Sequence, residues 1–82
     1  MDSREKRRLE ELIEEAVREA VDRPFLYNRD GLYRVVLETV EMMLIERALA
    51  HTKGNKTQAA KVLGISRNTL ARRIRQFEIE VK

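Results

Sequence analysis

The side chains with the clearest chemical capacity in this 82-residue chain lie between positions 55 and 77, in the segment NKTQAAKVLGISRNTLARRIRQF. Asn55, Thr57 and Thr69 are short hydrogen-bonding side chains near the expected starts of two helices, where free backbone N–H groups and the helix dipole favour phosphate. Arg67 opens the second of these helices. An arginine in that place can donate two hydrogen bonds to O6 and N7 of a guanine in the major groove. These residue types suit the recognition of a polyanion.

The spacing of apolar residues within this segment predicts two short helices joined by a tight turn. The first should run from Lys56 to Leu63 and the second from Arg67 to Gln76 or Phe77. Gly64 provides the turn, and Ser66 is placed to cap the second helix. Such an arrangement with a basic second helix is the signature of a helix-turn-helix, so we expect sequence-directed DNA binding. The residues expected to face inward are Ala59, Ala60, Leu63, Ile65, Leu70, Ile74 and Phe77, and those expected to face outward are Asn68, Ala71, Arg72 and Arg75.

Two longer helices should precede this segment. The first is predicted from about Ser3 to Asp22, with Asp2 and Glu5 as a capping box and one apolar stripe. Its stripe comprises Leu9, Leu12, Ile13, Ala16, Val17, Ala20 and Val21. A connector, Phe25–Arg29, should place Phe25 and Leu26 in the core.

The second long helix is predicted from about Gly31 to Thr52, with Asp30 as its N-cap and Gly54 as a left-handed cap after its end. This helix is apolar on more than one stripe and therefore needs two partners. In so short a chain a second copy is the simplest partner for the remaining face. We expect an obligate homodimer. The expected dimer core consists of Val36, Val40, Leu44 and Ala48.

The net charge of +3 conceals an asymmetry along the chain. Residues 1–50 contain 9 Lys or Arg and 12 Asp or Glu, whereas residues 51–82 contain 8 and 2, so the two parts carry −3 and +6. This division suggests one part for assembly and one for a polyanion. The absence of cysteine fits a cytoplasmic location, and no apolar run approaches a membrane span. No catalytic, cofactor or metal motif is present, so we expect neither an enzyme nor a bound cofactor or metal.

The segment from Leu32 to Phe77 resembles the Fis family of bacterial DNA-binding domains, which includes the nucleoid protein Fis and the C-terminal domains of NtrC-type activators. The resemblance is carried chiefly by Thr52-Lys53-Gly54-Asn55-Lys56-Thr57-Gln58-Ala59-Ala60 and Leu63-Gly64-Ile65-Ser66-Arg67-Asn68-Thr69-Leu70. It implies an all-α fold of four helices, an intertwined dimer, and a two-fold symmetric site on bent DNA. Two departures are Ala71, where the nucleoid protein has a basic residue, and Glu78, where the family usually has a glycine after the last helix.

The same resemblance assigns the DNA-contacting residues. It places Ser66 and Arg67 at base edges and puts Asn55, Thr57, Gln58, Thr69 and Arg72 at the phosphate backbone. Arg73 is expected as a further backbone contact, and Arg75 lies near that surface. The domain is then divided into dimerisation helices (1–53), the helix-turn-helix (54–77) and a tail (78–82).

We interpret the chain as the DNA-binding domain of an NtrC-type transcriptional activator that binds palindromic enhancer sites in the bacterial nucleoid. An ATPase domain of the same full-length chain and RNA polymerase would then be further partners. A free-standing, DNA-bending nucleoid protein is the alternative within the same class. A helical oligomerisation module is the alternative from another class, although such a module needs neither the Gly-Ile-Ser-Arg turn nor the basic segment.

Overall fold

The computed structural model describes residues 1–23 and 31–81, and this part of the chain contains four helices. They are α1 (Ser3–Asp22), α2 (Leu32–His51), α3 (Lys56–Leu63) and α4 (Arg67–Gln76). The all-α prediction is confirmed, and the predicted bounds of α1, α3 and α4 match the observed ones. α2 is one residue shorter at each end than predicted. Gly31 has a left-handed φ of 81° and lies before the helix, and its carbonyl accepts the first helical bond from Val35 N–H at 3.2 Å. Thr52 belongs to the turn that follows His51. The predicted connector Phe25–Arg29 and the predicted cap Asp30 lie outside the described residues, as does Lys82.

The apolar stripe of α1 is not buried in the single chain. Asp2 caps this helix, since its carboxylate accepts a hydrogen bond from Glu5 N–H at 2.8 Å. The predicted capping box is only half formed, because among the described residues the Glu5 side chain makes no return bond to the Asp2 N–H. On the solvent-exposed face of α1, Arg18 and Glu14 form an ion pair at 2.9 Å. No residue of α1 is buried, and the large side chains of its stripe are 41–48% exposed. Those side chains are Leu9, Leu12, Ile13, Val17 and Val21.

The chain divides within α2 into two compact units, Met1–Leu37 and Glu38–Lys82. The first unit contains α1 and the start of α2. Between these helices lies an open hollow of about 330 Å³, lined by side chains that include Val17, Val21 and Val36. An apolar hollow of this size within a two-helix unit means that the unit has too little apolar mass to close its own core.

The core of the second unit lies where α2, α3 and α4 meet. Its buried residues are Ile45, Ala48, Leu49, Ala59, Ala60, Leu70 and Ile74, with Leu63, Ile65, Phe77 and Ile79 packed against them. Ala59 is fully buried and Ala60 almost so, and two methyl side chains allow the short α3 to approach its neighbours closely. The inward-facing residues predicted for α3, the turn and α4 are therefore confirmed.

All three helices of the second unit end in the same hydrogen-bonded turn, in which one residue takes a left-handed conformation. After α3 that residue is Gly64 (φ 72°): its N–H bonds Lys61 O at 3.2 Å, and Ile65 N–H bonds Ala60 O at 3.1 Å. Glycine takes this conformation without steric penalty. The turn connects α3 to α4 in three residues and thereby fixes the start of α4.

In the turns that end α2 and α4, the left-handed residue equivalent to Gly64 is not a glycine. Lys53 (φ 54°) is the equivalent residue two positions beyond the end of α2, and the predicted left-handed residue, Gly54 (φ 82°), follows it. Glu78 (φ 51°) occupies the position after α4, and its N–H bonds Arg75 O at 3.3 Å. Ile79 N–H then bonds Ile74 O at 3.0 Å, which returns the Ile79 side chain to the core.

Candidate nucleic-acid interface

The start of α3 is a rigid corner built around Asn55. The Asn55 side chain accepts a hydrogen bond from Gln58 N–H at 3.0 Å, and its own N–H donates to Thr52 O at 3.0 Å. The Thr52 hydroxyl lies 3.1 Å from Asn55 O and 3.0 Å from Ala48 O. Its single hydrogen can serve one of these carbonyls at a time. Thr57 and Gln58 are exposed beside this corner, at a helix start whose first N–H groups have no helical partner.

The start of α4 is held in the same way by Ser66. As predicted, Ser66 is the N-cap: its Oγ accepts a hydrogen bond from Thr69 N–H at 3.1 Å. The Ser66 hydroxyl also donates to Thr69 Oγ1 at 2.9 Å. This second bond uses the hydroxyl hydrogen of Ser66 and leaves the hydroxyl hydrogen of Thr69 available for an acceptor outside the protein.

The face of α4 opposite the core is polar and exposed. Asn68, Arg72 and Arg75 follow one another at i, i+4 and i+7, as predicted, and all three are exposed. Arg67 is exposed at the first turn. Ala71, which was also expected to face outward, is half-buried. Within residues 1–23 and 31–81, no carboxylate forms an ion pair with Arg67, Arg72 or Arg75.

Arg73 has a different environment from the other arginines of α4. Its Nε lies 2.8 Å from Glu41 Oε2 on α2, and its Nη1 donates to Gln76 Oε1 at 2.7 Å. Nε is inaccessible to solvent, but its contact with Glu41 is strongly bent, so the interaction is a close ion pair and not an aligned hydrogen bond. Arg73 was expected near the DNA-facing surface, yet its guanidinium is engaged at the α2–α4 contact.

Glu41 was not among the site residues predicted from the sequence, although its position on α2 indicates that it needs a cationic partner. It stands four residues before Ile45 and seven before Ala48, on the stripe of α2 that enters the core. The Glu41 side chain is half-buried, and partial desolvation of a carboxylate favours a cationic partner. An arginine on the edge of a neighbouring helix is the expected partner.

The electrostatic character of this region is uniform. Residues 47–77 contain eight Lys or Arg and no Asp or Glu. In the described part of the chain, no group of His, Cys, Asp or Glu is arranged to hold a metal ion. Nor is any described helix long and apolar enough to cross a membrane. The capped starts of α3 and α4 and the basic face of α4 thus form a surface suited to a polyanion.

Comparison with known proteins gives consistent matches. The profile of a family described as "Bacterial regulatory protein, Fis family" matches residues 36–77. The chain is 47% identical over 51 residues to the DNA-binding transcriptional regulator NtrC of Bradyrhizobium sp. (strain RP501 Parasponia), covering 62% of this chain and 11% of that protein. The corresponding protein of Azospirillum brasilense is 48% identical over 52 residues, with coverage of 63% and 11%.

A third relative aligns over more of its own length. The DNA-binding protein Fis of Glaesserella parasuis serovar 5 (strain SH0165) is 39% identical over 70 residues, covering 79% of this chain and 70% of that protein. The chain therefore spans about a tenth of the two NtrC relatives but more than two thirds of this one. Among solved structures, none gives a significant match.

Proposed function

The chain belongs to the Fis family of bacterial regulatory proteins, and from this premise we propose that it is a homodimeric regulator whose helix-turn-helix binds a two-fold symmetric DNA site. The observation that carries the proposal is the exposed face of α4. Arg67, Arg72 and Arg75 have no ion-pair partner among the described residues, and they lie in a stretch without a single carboxylate. A basic face of this kind is the electrostatic footprint of a nucleic-acid-binding helix.

In this proposal Arg67 provides direct readout of the DNA sequence. It stands at the first turn of α4, where a side chain reaches a base edge before the helix backbone meets the groove wall. A bidentate contact to guanine contributes roughly 1–3 kcal/mol of discrimination against the wrong base. Ser66 lies beside it, but its hydroxyl is already bonded to Thr69, so a base contact from Ser66 would compete with the cap.

The phosphate contacts come from the helix starts. Thr57 and Gln58 on α3, and Thr69 and Arg72 on α4, lie beside first-turn N–H groups that attract anions. Asn55 presents its amide N–H₂ while its Oδ1 caps α3. These contacts set the register of the protein on the duplex and add affinity that falls steeply with salt.

The dimer rests on the apolar surface that one chain leaves open. Val40 and Leu44 on α2 are 43% and 55% exposed, and the α1 stripe is open along its whole length. Exposed large apolar side chains in this number favour an interface. Val36 is half-buried and stands one helical turn before Val40 on α2. Ala48 does not, because it is 4% exposed and packs in the core of its own chain; it was expected in the dimer core.

The division into dimerisation helices (1–53), helix-turn-helix (54–77) and tail (78–82) is part of this proposal. A symmetric dimer places two recognition helices on one face of the duplex and relates the symmetry of the site to that of the protein.

Within the family we propose the role of an NtrC-type activator that binds palindromic enhancer sites in the bacterial cytoplasm. The segment Arg67-Asn68-Thr69-Leu70-Ala71 supports this choice, since the half-buried Ala71 offers no charge where the nucleoid protein has a basic residue. An ATPase domain elsewhere in the full-length chain and RNA polymerase would be the further partners of such an activator. A free-standing nucleoid protein is the second candidate, supported by the match to a Fis protein that extends well beyond the helix-turn-helix.

The test is selection of binding sites from a randomised duplex library, followed by affinity measurements with Arg67→Ala and Arg18→Ala. Both changes remove one arginine, but Arg18 is paired with Glu14 on α1 and serves as the matched control. We expect a palindrome to be selected, and Arg67→Ala to lose roughly 1–3 kcal/mol at one base position of each half-site. Arg18→Ala should leave the selected sequence unchanged. Equal weakening on all duplexes would make Arg67 a phosphate contact, and a wild-type chain that selects no sequence would refute the proposed function.

A further inference from the structure

One of the four arginines of α4 is used within the protein. Arg67, Arg72 and Arg75 are exposed, whereas the Arg73 side chain is 36% exposed and lies against α2 through Glu41. Successive residues of a helix are rotated by about 100°, so Arg73 lies at the edge of the face that carries Arg72, toward the core side. Its Nε has no solvent access, and Gln76 holds its Nη1.

We propose that the Glu41–Arg73 ion pair sets the position of α4 on α2, and that Arg73 acts in DNA recognition as a positioning residue and not as a phosphate ligand. The inference rests on the proposed function, because positioning matters only if α4 reads DNA. It assigns Glu41 a part in recognition although its carboxylate repels the polyanion.

The packing of α4 explains why such a contact is needed. This ten-residue helix is anchored in the core by the buried Leu70 and Ile74, together with the half-buried Phe77. Hydrophobic contact is non-directional, so these side chains hold the helix down but define its rotation poorly. The 2.8 Å ion pair joins one edge of α4 to α2 and thereby opposes rotation of α4 about its own axis.

The dimensions of an α-helix show how accurately the rotation of α4 must be fixed for Arg67 to meet a base edge. Side chains on an α-helix reach roughly 6 Å from its axis, so a rotation of about 10° moves a side-chain end by roughly 1 Å. A binding constellation tolerates about 0.5 Å of displacement. A small rotation of α4 would therefore misplace Arg67 against a base edge while leaving any looser phosphate contact nearly intact. Loss of the constraint should reduce specific binding selectively.

The direction in which DNA affinity changes when Glu41 is replaced distinguishes a positioning role from simple electrostatic repulsion. Removing a carboxylate from a DNA-binding surface raises affinity for any duplex, because the protein becomes more positive. If Glu41 positions α4, its removal must instead weaken binding to the selected site while binding to random duplex stays equal or rises. The ratio of the two affinities is the decisive quantity.

The experiment measures the affinity of the full chain for its selected site and for a random duplex over a series of salt concentrations. Glu41→Gln removes the charge, and Glu41→Asp keeps the charge but shortens the side chain by one methylene. Glu46→Gln, at an exposed position of the same helix, is the matched control. We expect both Glu41 variants to lose at least about fivefold in the specific-to-random ratio, a typical size for coupling between sites. Glu46→Gln should retain the wild-type ratio.

A second pair of variants tests Arg73 itself. Each phosphate contact contributes about 0.9 to the slope of log K against log salt concentration. Arg73→Met should reduce the ratio while keeping the wild-type slope. Arg75→Met, on the exposed basic face, should weaken binding to both duplexes alike and so keep the ratio. Melting curves of all variants ensure that only folded chains are compared. A slope reduced by about 0.9 in Arg73→Met, or an unchanged ratio in both Glu41 variants, would overturn the inference. Failure of the wild-type chain to select any site would instead overturn the proposed function.

Discussion

Replacement of Glu78 by glycine should stabilise this protein. Glu78 follows the last helix in a left-handed conformation, with φ at 51°. A side chain in that conformation brings Cβ close to the following carbonyl oxygen, which costs roughly 1–2 kcal/mol. The turn is nevertheless required, because the Ile79 N–H bonds Ile74 O and the Ile79 side chain covers the core.

The expected gain follows from two opposing terms. Glycine removes the steric cost of about 1–2 kcal/mol, but it gives the unfolded chain more freedom, which costs about 0.5–1 kcal/mol. The net stabilisation therefore lies between about 0 and 1.5 kcal/mol, with a central value of about 0.75 kcal/mol. For a domain of this size the central value raises the melting temperature by roughly 3–6 °C.

The assay is thermal unfolding at one fixed protein concentration, since the stability of the proposed dimer depends on concentration. Glu78→Ala removes the same carboxylate without relieving the left-handed strain, and Glu80→Gly introduces a glycine where φ is not positive. Neither control should gain stability. If Glu78→Ala stabilised the protein as much as Glu78→Gly, the carboxylate at the helix end, and not the backbone conformation, would be the source of the strain.

Two further predictions concern the dimer and the phosphate contacts. Val40→Asp should convert the dimer to monomer in sedimentation equilibrium, whereas Val62→Asp, at an exposed valine of α3, should leave it dimeric. Burial of a valine side chain contributes roughly 1.5–3 kcal/mol in each subunit, and two such losses weaken association by at least 10²-fold. Asn55→Asp should retain the melting temperature, because aspartate caps α3 equally well, yet weaken binding to every duplex through repulsion from phosphate. Equal DNA affinity of Asn55→Asp and wild type would show that Asn55 is a cap only.

The helices were predictable because their ends are marked in the sequence. Asp2, Asn55 and Ser66 each accept a hydrogen bond from an N–H three residues later, and local bonds of this kind depend on little beyond the neighbouring residues. The same is true of Gly64, whose missing Cβ suits a left-handed turn. The apolar spacing of α3 and α4 then fixed which side chains enter the core, since one helix face must be covered in so small a unit.

The features that could not be predicted depend on contacts between helices or on strain. Arg72 and Arg73 are adjacent in the sequence, and only the direction of α2 relative to α4 decides which of them meets Glu41. Ala48 lies on a helix that is apolar on several sides, so periodicity could not say whether it faces its own chain or another. Lys53 adopts a left-handed conformation that residue propensity disfavours, because the hydrogen bonds that end α2 require it.

The residues that cap the helices and those proposed to hold phosphate are partly the same, and this has a consequence for mechanism. A cap fixes the direction of its side chain and leaves the neighbouring N–H groups pointing outward, so the bonds that start α3 and α4 also arrange an anion site. Asn55 and Thr69 are held in place before any DNA arrives. Little conformational entropy is then lost at these positions on binding, and a surface of a few short side chains can contribute usefully to affinity. Long arginines lose more freedom when they bind, which is a physical reason for fixing the helix that carries Arg67 through Glu41 and Arg73.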